Sequence, residues 1–75
     1  STPEITLYPN PVKDVLYFKG FEAKSVIVFT ISGHLVINKN LTSNNLDVSL
    51  LDNGMYIIGI SDGNGNYKLS KFIKQ

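Results

Sequence analysis

Residues 50–60 read Leu-Leu-Asp-Asn-Gly-Met-Tyr-Ile-Ile-Gly-Ile, a turn signal followed directly by the most apolar strand candidate of the chain. Asn53-Gly54 are residues that tolerate a positive φ angle, so they predict a turn. From Tyr56 to Ile60, large apolar side chains occupy every second position, which is the period-two pattern of a β-strand. Because the positions between them are also apolar or small, we expect this strand to lie centrally, with a partner on each side. The following residues should then form its hairpin partner.

Six further strand candidates surround this segment, and no stretch shows a 3.6-residue period. They are Ile5–Tyr8, Val15–Phe18, Lys24–Ile31, Leu35–Ile37, Leu46–Val48 and Asn66–Ile73. Turn signals recur about every ten residues, among them Ser32-Gly33 and Asp62–Gly65. This spacing predicts an all-β Greek-key β-sandwich of about seven strands, with an up-and-down meander as the alternative topology. The inward face is expected to contain Leu16, Phe18, Val26, Val28, Val48, Tyr56, Ile58 and Ile60.

The length of 75 residues corresponds to one domain, whose free energy of unfolding should be on the order of 4–11 kcal/mol. We assign residues 1–6 to a linker and residues 7–75 to the domain. The net charge of +1 and the absence of Arg argue against a nucleic-acid partner. No apolar run approaches the roughly 18 residues of a membrane span, and no signal peptide opens the chain. An exported domain of this kind must therefore belong to a longer protein.

Candidate catalytic and metal-binding residues are few. There is no Cys, and the single His34 follows a turn glycine, where an exposed turn residue is expected. Asp62, Asn64 and Asn66 have the spacing of a calcium loop, but the sixth and twelfth positions lack the required Gly and Glu. Asp47 and Asp52 are expected to act as turn and cap residues. The sequence thus predicts no catalytic residue, no metal site and no cofactor, and a protein that is not an enzyme.

Pro9-Asn10-Pro11 is expected to form a stiff, extended corner. Neither proline has an amide hydrogen to donate, and each restricts the residue before it to an extended conformation. The Asn10 side chain can form hydrogen bonds with nearby backbone. Such a corner would stop the first strand and present a preordered segment to a partner.

Four segments, in their order along the chain, resemble the type A C-terminal sorting domain of the type IX (Por) secretion system. They are Leu-Tyr-Pro-Asn-Pro-Val-Lys-Asp at 7–14, Ser-Gly-His-Leu-Val at 32–36, residues 46–56 ending in Leu-Asp-Asn-Gly-Met-Tyr, and Lys-Phe-Ile-Lys at 71–74. The resemblance extends over nearly all of the chain. One departure is Gln75, which follows the lysine at which many members of the family end.

This resemblance implies an immunoglobulin-like sandwich that serves as an export signal. Cargo domains would precede it in the same chain, which would pass through the periplasm of a Gram-negative bacterium to become secreted or attached to the cell surface. The expected partners are the outer-membrane type IX translocon and a sortase-like peptidase that removes the domain. The domain itself is expected to be a monomer without a transmembrane segment.

The resemblance assigns recognition to both ends of the domain. The residues expected to meet the translocon are Tyr8, Pro9, Asn10, Pro11, Lys71, Phe72, Ile73 and Lys74, and those expected to determine turns and fold are Gly33, Asn53, Gly54 and Tyr56. Phe72 and Ile73 should point to opposite faces of the last strand, so at most one is fully buried. Two other classes remain: an accessory carbohydrate- or protein-binding module, with exposed aromatics such as Tyr8, Tyr17 or Phe21 as a sugar platform, and a passive spacer.

Overall fold

The computed structural model describes residues 5–75, which form seven β-strands and no helix. They are β1 Thr6–Tyr8, β2 Val15–Lys19, β3 Ser25–Thr30, β4 Leu35–Asn40, β5 Asn45–Asp47, β6 Gly54–Ser61 and β7 Tyr67–Lys74. All seven predicted strands are therefore present, and their ends differ from the predicted ones by at most three residues. The proposed linker residues Ser1–Glu4 lie outside the described part, and β1 begins at Thr6, one residue before the assigned domain start.

The strands form two antiparallel sheets, which confirms the all-β sandwich. Sheet 1 has the order β1-β2-β5, and sheet 2 has the order β4-β3-β6-β7. Pairing of β2 with β5 and of β3 with β6 joins strands that are not consecutive, so the chain is not an up-and-down meander. This division into three and four strands is the immunoglobulin-like Greek-key arrangement.

Strand β6 lies in the interior of sheet 2, as its apolar pattern predicts. It pairs with β3, where Tyr56 lies opposite Thr30, and with β7, where Tyr56 lies opposite Phe72. The β6–β7 pairing extends over all eight residues of both strands. The last strand is therefore the hairpin partner of the central one and forms an edge of the sheet.

The predicted core is confirmed, because all eight side chains expected to face inward are at most 6% exposed. The two sheets enclose them in alternation with exposed residues, which is the period-two pattern of each strand. Five further buried apolar residues were not among those expected: Val12, Phe21, Ala23, Leu46 and Phe72. The burial of Phe21, which is 7% exposed, removes it from the candidate sugar-binding aromatics.

Glycines occupy the turn positions that require a positive φ angle. The φ angle is +97° at Gly33, in the β3–β4 hairpin, and +152° at Gly54, where β6 begins. Asn53 does not share this conformation, since no non-glycine residue among those described has a positive φ. The positive φ of the turn before β6 therefore lies at Gly54, the second residue of the predicted Asn53-Gly54 pair.

Tyr56 closes the turn that precedes β6. Its hydroxyl donates a hydrogen bond of 2.7 Å to the carbonyl of Asp52, four residues upstream, while its ring is 6% exposed. A tyrosine at the start of the sixth strand that bonds back to the preceding backbone is the tyrosine corner of immunoglobulin-like sandwiches. The turn is thereby fixed to the core by the same side chain that begins the inward face of β6.

Candidate functional site

The two segments expected to take part in recognition lie against each other. Residues Pro9–Val12, which we call the strap, follow the C-terminal half of β7. Asn10 Oδ1 accepts a hydrogen bond of 2.9 Å from the amide of Ile73, and Asn10 Nδ2 donates one of 3.4 Å to the carbonyl of Lys71. The amide of Val12 donates to the carbonyl of Ile73 at 2.7 Å, and the amide of Gln75 donates to the carbonyl of Val12 at 2.8 Å.

The chemistry of the strap explains this arrangement. Pro9 and Pro11 have no amide hydrogen and cannot donate to an edge strand. The Asn10 carboxamide has one acceptor and one donor group, so it replaces the backbone groups that a neighbouring strand would offer. Val12 resumes true backbone pairing through a parallel bridge to Lys74, and its fully buried side chain anchors the strap in the core.

The strap changes the character of the β7 edge. An edge strand presents unpaired backbone groups that can pair with another chain. The strap bonds with the backbone of Lys71, Ile73 and Gln75, whereas no described backbone hydrogen bond outside the sheet reaches the segment 67–70. The C-terminal half of the edge is therefore closed within this domain, and the half that begins at Tyr67 is open.

The C-terminal residues alternate between core and solvent. Lys71 and Ile73 are exposed, while Phe72 is fully buried and Lys74 is 6% exposed. The expectation that at most one of Phe72 and Ile73 is fully buried is confirmed. Phe72 stacks on Tyr56 with ring centroids 5.5 Å apart, and Lys74 Nζ donates to the carbonyl of Gln75 at 3.2 Å. A partner that binds the folded domain can thus contact Lys71 and Ile73, but not the Phe72 ring.

Tyr8 and Tyr17 form an exposed aromatic pair on sheet 1. They are directly opposite residues of β1 and β2, with ring centroids 5.6 Å apart and ring planes inclined by 21°. Their exposed fractions are 45% and 42%. Because the rings stack on each other, each loses one face to its neighbour. A flat platform of side-by-side rings, as a sugar-binding surface needs, is not formed.

The carboxylates considered as ligands hold turns. Asp62 Oδ1 accepts from the amides of Asn64 and Asn66, and Oδ2 accepts from Nδ2 of Asn66 at 2.7 Å. Hydrogen bonds from the Asn66 side chain, and then from the Asn64 amide, lower the pKa of Asp62 below its usual value. Asp47 accepts from the amide of Ser49 at 2.9 Å, and its hydrogen bonds with Ser49 likewise lower its pKa. Within residues 5–75, no group of three metal-ligating side chains occurs.

Sequence reasoning missed that the strap and the last strand form one structure. The hydrogen bonds of Asn10 join residues 61 and 63 positions apart. The available signal was an asparagine flanked by two prolines, because the prolines have no backbone donor and the Asn10 side chain can replace one. Nothing local indicated which strand edge it would contact.

Comparison with known proteins agrees with this architecture. The family model described as "Secretion system C-terminal sorting domain" matches residues 6–75, which is nearly the whole chain and includes both the strap and β7. The chain belongs to this family. It is a C-terminal sorting domain of the type IX secretion system, as its sequence motifs indicate, and its role is that of a secretion signal rather than of a catalyst.

Two relatives show the context in which such a domain occurs. The chain is 30% identical over 80 aligned positions to a funoran endo-beta-hydrolase of Wenyingzhuangia aestuarii, which covers 99% of this chain and 11% of that protein. It is 28% identical over 72 positions to beta-agarase D of Zobellia galactanivorans, which covers 96% of this chain and 15% of that protein. The sorting domain thus spans a small part of each relative, both of which are larger proteins.

Membership of the family implies a secreted or cell-surface protein. Among residues 5–75, the structure contains no helix that could cross a membrane.

Proposed function

We propose that this domain is recognised in its folded state by the outer-membrane type IX translocon and is then removed by a sortase-like peptidase. The cargo precedes it in the same chain and passes through the periplasm of a Gram-negative bacterium. After removal of the domain, the cargo is released or attached to the cell surface. In this proposal the sorting domain acts by binding alone, with no catalytic residue of its own.

The observation that carries the proposal is the contact between the two ends of the domain. The exposed strap residues Pro9, Asn10 and Pro11 lie beside the exposed residues Lys71 and Ile73, because the Asn10 side chain bonds to the backbone of both β7 residues. Folding therefore joins the sequence motifs at the two ends into one surface. An unfolded chain would present them separately, so a receptor of this joint surface would select the folded domain.

A fusion of residues 7–75 to a periplasmic reporter tests export. In a bacterium with a type IX system, we expect the reporter to appear outside the cell and to lack residues 7–75 when its mass is measured. A reporter that stays in the periplasm would contradict the export function. An exported reporter that keeps its full mass would contradict removal of the domain.

An unfolded variant tests whether the translocon recognises the folded state of the domain. Phe72→Ala removes the largest fully buried side chain, and such aromatic truncations cost about 3–5 kcal/mol, a large share of the stability of a domain this small. Combined with Ile58→Ala, which costs about 2–5 kcal/mol more, the double variant should be unfolded by circular dichroism, and its reporter should stay in the periplasm. Leu50→Ala, which truncates a side chain that is 98% exposed, should stay folded and be exported. Export of the unfolded double variant at the normal rate would show that a linear peptide is recognised instead.

The alternative function is that of an accessory binding module for a polysaccharide. It is favoured by the names of the two relatives, funoran endo-beta-hydrolase and beta-agarase D, whereas the stacked pair Tyr8 and Tyr17 offers no flat sugar platform. It predicts retention of the domain on an agarose column and loss of that retention in Tyr17→Ala. A domain that is not retained on the column would contradict the binding-module function and leave the sorting function as the one supported.

A further inference from the structure

The outer face of sheet 2 is apolar, although it faces solvent. The register places five exposed or half-exposed apolar side chains there and three that are partly buried among them. The exposed ones are Leu35, Met55, Tyr67, Leu69 and Ile73, and the partly buried ones are Ile27, Phe29 and Ile57. Antiparallel sheets with one face in water normally alternate between apolar and polar residues. Sheet 2 departs from this rule on three of its four strands.

The face is also continuous, because Tyr67 fills the position above a glycine. A Cβ atom at Gly59 would collide with the Tyr67 hydroxyl, so the aromatic side chain lies directly over the backbone of β6. Ile27, Gly59 and Leu69 form a row across three strands at this level. Any larger residue at position 59 would displace Tyr67 and break the surface.

The outward apolar side chains of sheet 2 form one contiguous patch. Strands lie about 4.8 Å apart and rise about 3.3 Å per residue, so the apolar positions span roughly 14 Å by 20 Å. This area, about 280 Å², is close to that of the largest apolar patch on an ordinary monomer, and such a patch is often functional. The most exposed of these side chains, Leu69 at 66% and Leu35 at 53%, belong to the two edge strands.

The charge on this face indicates the kind of partner. At the outward positions of the four strands, as described, Lys71 is the one charged residue, and no acidic residue accompanies it. Association with a second copy would place two lysines in one apolar interface without a carboxylate, and desolvation of unpaired charges opposes that. A different protein whose apolar surface contains one carboxylate would cover the apolar side chains and also pair with Lys71.

We propose that the outer face of sheet 2 is the surface by which the domain binds a protein of the secretion machinery, with a carboxylate of the partner opposite Lys71. The inference rests on the proposed export function. It extends the joint surface at the strap, since Lys71 and Ile73 belong to both. The core of the interface is then the Leu69–Ile73 side of sheet 2, with the strap at its rim.

The test uses the reporter fusion with Leu69→Glu and Lys71→Glu as separate variants. Both side chains are exposed, so the melting temperature of the domain should stay within a few degrees of wild type. Export should fall about tenfold or more in each, as for a hot-spot residue of an interface. Lys71→Met keeps the apolar stem without the charge, and it should reduce export less than the charge reversal Lys71→Glu does.

Two controls lie away from the face. Leu50→Glu introduces the same charge at a leucine that is 98% exposed in the turn before β6, and Lys19→Glu reverses an exposed lysine on sheet 1. Both should export normally. Failure of wild type to be exported would contradict the proposed function itself. Normal export of wild type and of Leu69→Glu would overturn this inference and leave the export function standing.

Two further experiments test whether the face binds a second copy of the chain or a lipid surface instead. Sedimentation of the wild-type chain at micromolar concentration should give a monomer. A dimer that Leu69→Glu dissociates would assign the face to a second copy and overturn the proposal. Flotation with vesicles of phosphatidylethanolamine and phosphatidylglycerol should leave the domain in solution. Co-flotation that Leu69→Glu abolishes would assign the face to lipid, with the same consequence.

Discussion

Tyr56 shows at the scale of one residue how the turn and the core are coupled. Its ring lies between the sheets against Phe72, and its hydroxyl reaches the carbonyl of Asp52. A phenol suits this position because it combines an apolar body with a polar tip that must find a partner when buried. Phenylalanine would fill the same volume but leave the carbonyl without this donor.

We expect Tyr56→Phe to lower the free energy of unfolding by about 0.5–1.5 kcal/mol, the typical net value of one hydrogen bond. In a domain of this size each kcal/mol corresponds to about 4–8 °C in melting temperature. The matched control is Tyr67→Phe, whose hydroxyl makes no side-chain hydrogen bond within residues 5–75. Equal melting temperatures for Tyr56→Phe and wild type would show that the hydrogen bond of the Tyr56 hydroxyl does not stabilise the domain.

The turn glycines act through backbone conformation. A Cβ at Gly33 or Gly54 would meet no atom within 4 Å, so a substitution there is not opposed by a steric clash. The positive φ angles are the obstacle, and we expect Gly33→Val and Gly54→Val each to cost about 1–3 kcal/mol. Asn53→Val, beside Gly54 but not at positive φ, is the control and should melt near wild type. Thermal melts compare the three, and unchanged glycine variants would refute the turn assignment.

At the scale of an element, the strap covers the C-terminal half of the β7 edge. Asn10 supplies a donor and an acceptor where the prolines cannot, and Val12 completes the pairing with β7. Pairing with a foreign strand is the hazard of an open edge. The strap leaves the outward side chains of β7 accessible while it occupies the backbone of its C-terminal half.

Asn10→Ala should free the amide of Ile73, so we expect its hydrogen exchange to accelerate and the melting temperature to decrease by a few degrees. Asn10→Asp keeps an acceptor for the Ile73 amide but loses the donor to Lys71, and it should protect that amide better than alanine does. Hydrogen exchange measured for each amide distinguishes Asn10→Ala from Asn10→Asp. An Ile73 amide that exchanges at the wild-type rate in Asn10→Ala would show that Val12 alone holds the strand.

At the scale of the whole molecule, stability depends on one layer of side chains between two sheets. The residues of β6 alternate between this layer and the outer face of sheet 2, so neighbours in sequence have different roles. Ile58 is fully buried, whereas Ile57 is partly exposed on the outer face. A domain of 75 residues has little stability to lose, which makes the difference measurable.

Ile58→Ala should cost about 2–5 kcal/mol, because it leaves a cavity in the core between the sheets. Ile57→Ala removes the same atoms one position away and should cost clearly less, since part of that side chain is already in water. Denaturant titration of both variants compares the midpoints at equal slope. Similar losses for the two would mean that the outer face is buried in solution, by a second copy or by another contact.

The sequence alone determined the elements and their inward faces. Alternation along β2, β3 and β6 depends only on the pleat of each strand, so the inward residues could be read from period two. Glycines at positions 33 and 54 marked turns because few other residues adopt their φ angles. The sequence motifs also indicated the family and hence the secretion role.

Only the tertiary structure decided which segments meet. Period two gives each strand two faces but does not choose its neighbours, so the order β4-β3-β6-β7 and the loss of the meander alternative required the folded chain. The contact of Asn10 with β7 spans more than sixty residues, and no local pattern encodes it. Alternation allowed either Phe72 or Ile73 to be buried, and the packing of β7 against β6 placed Phe72 against Tyr56 and left Ile73 in solvent.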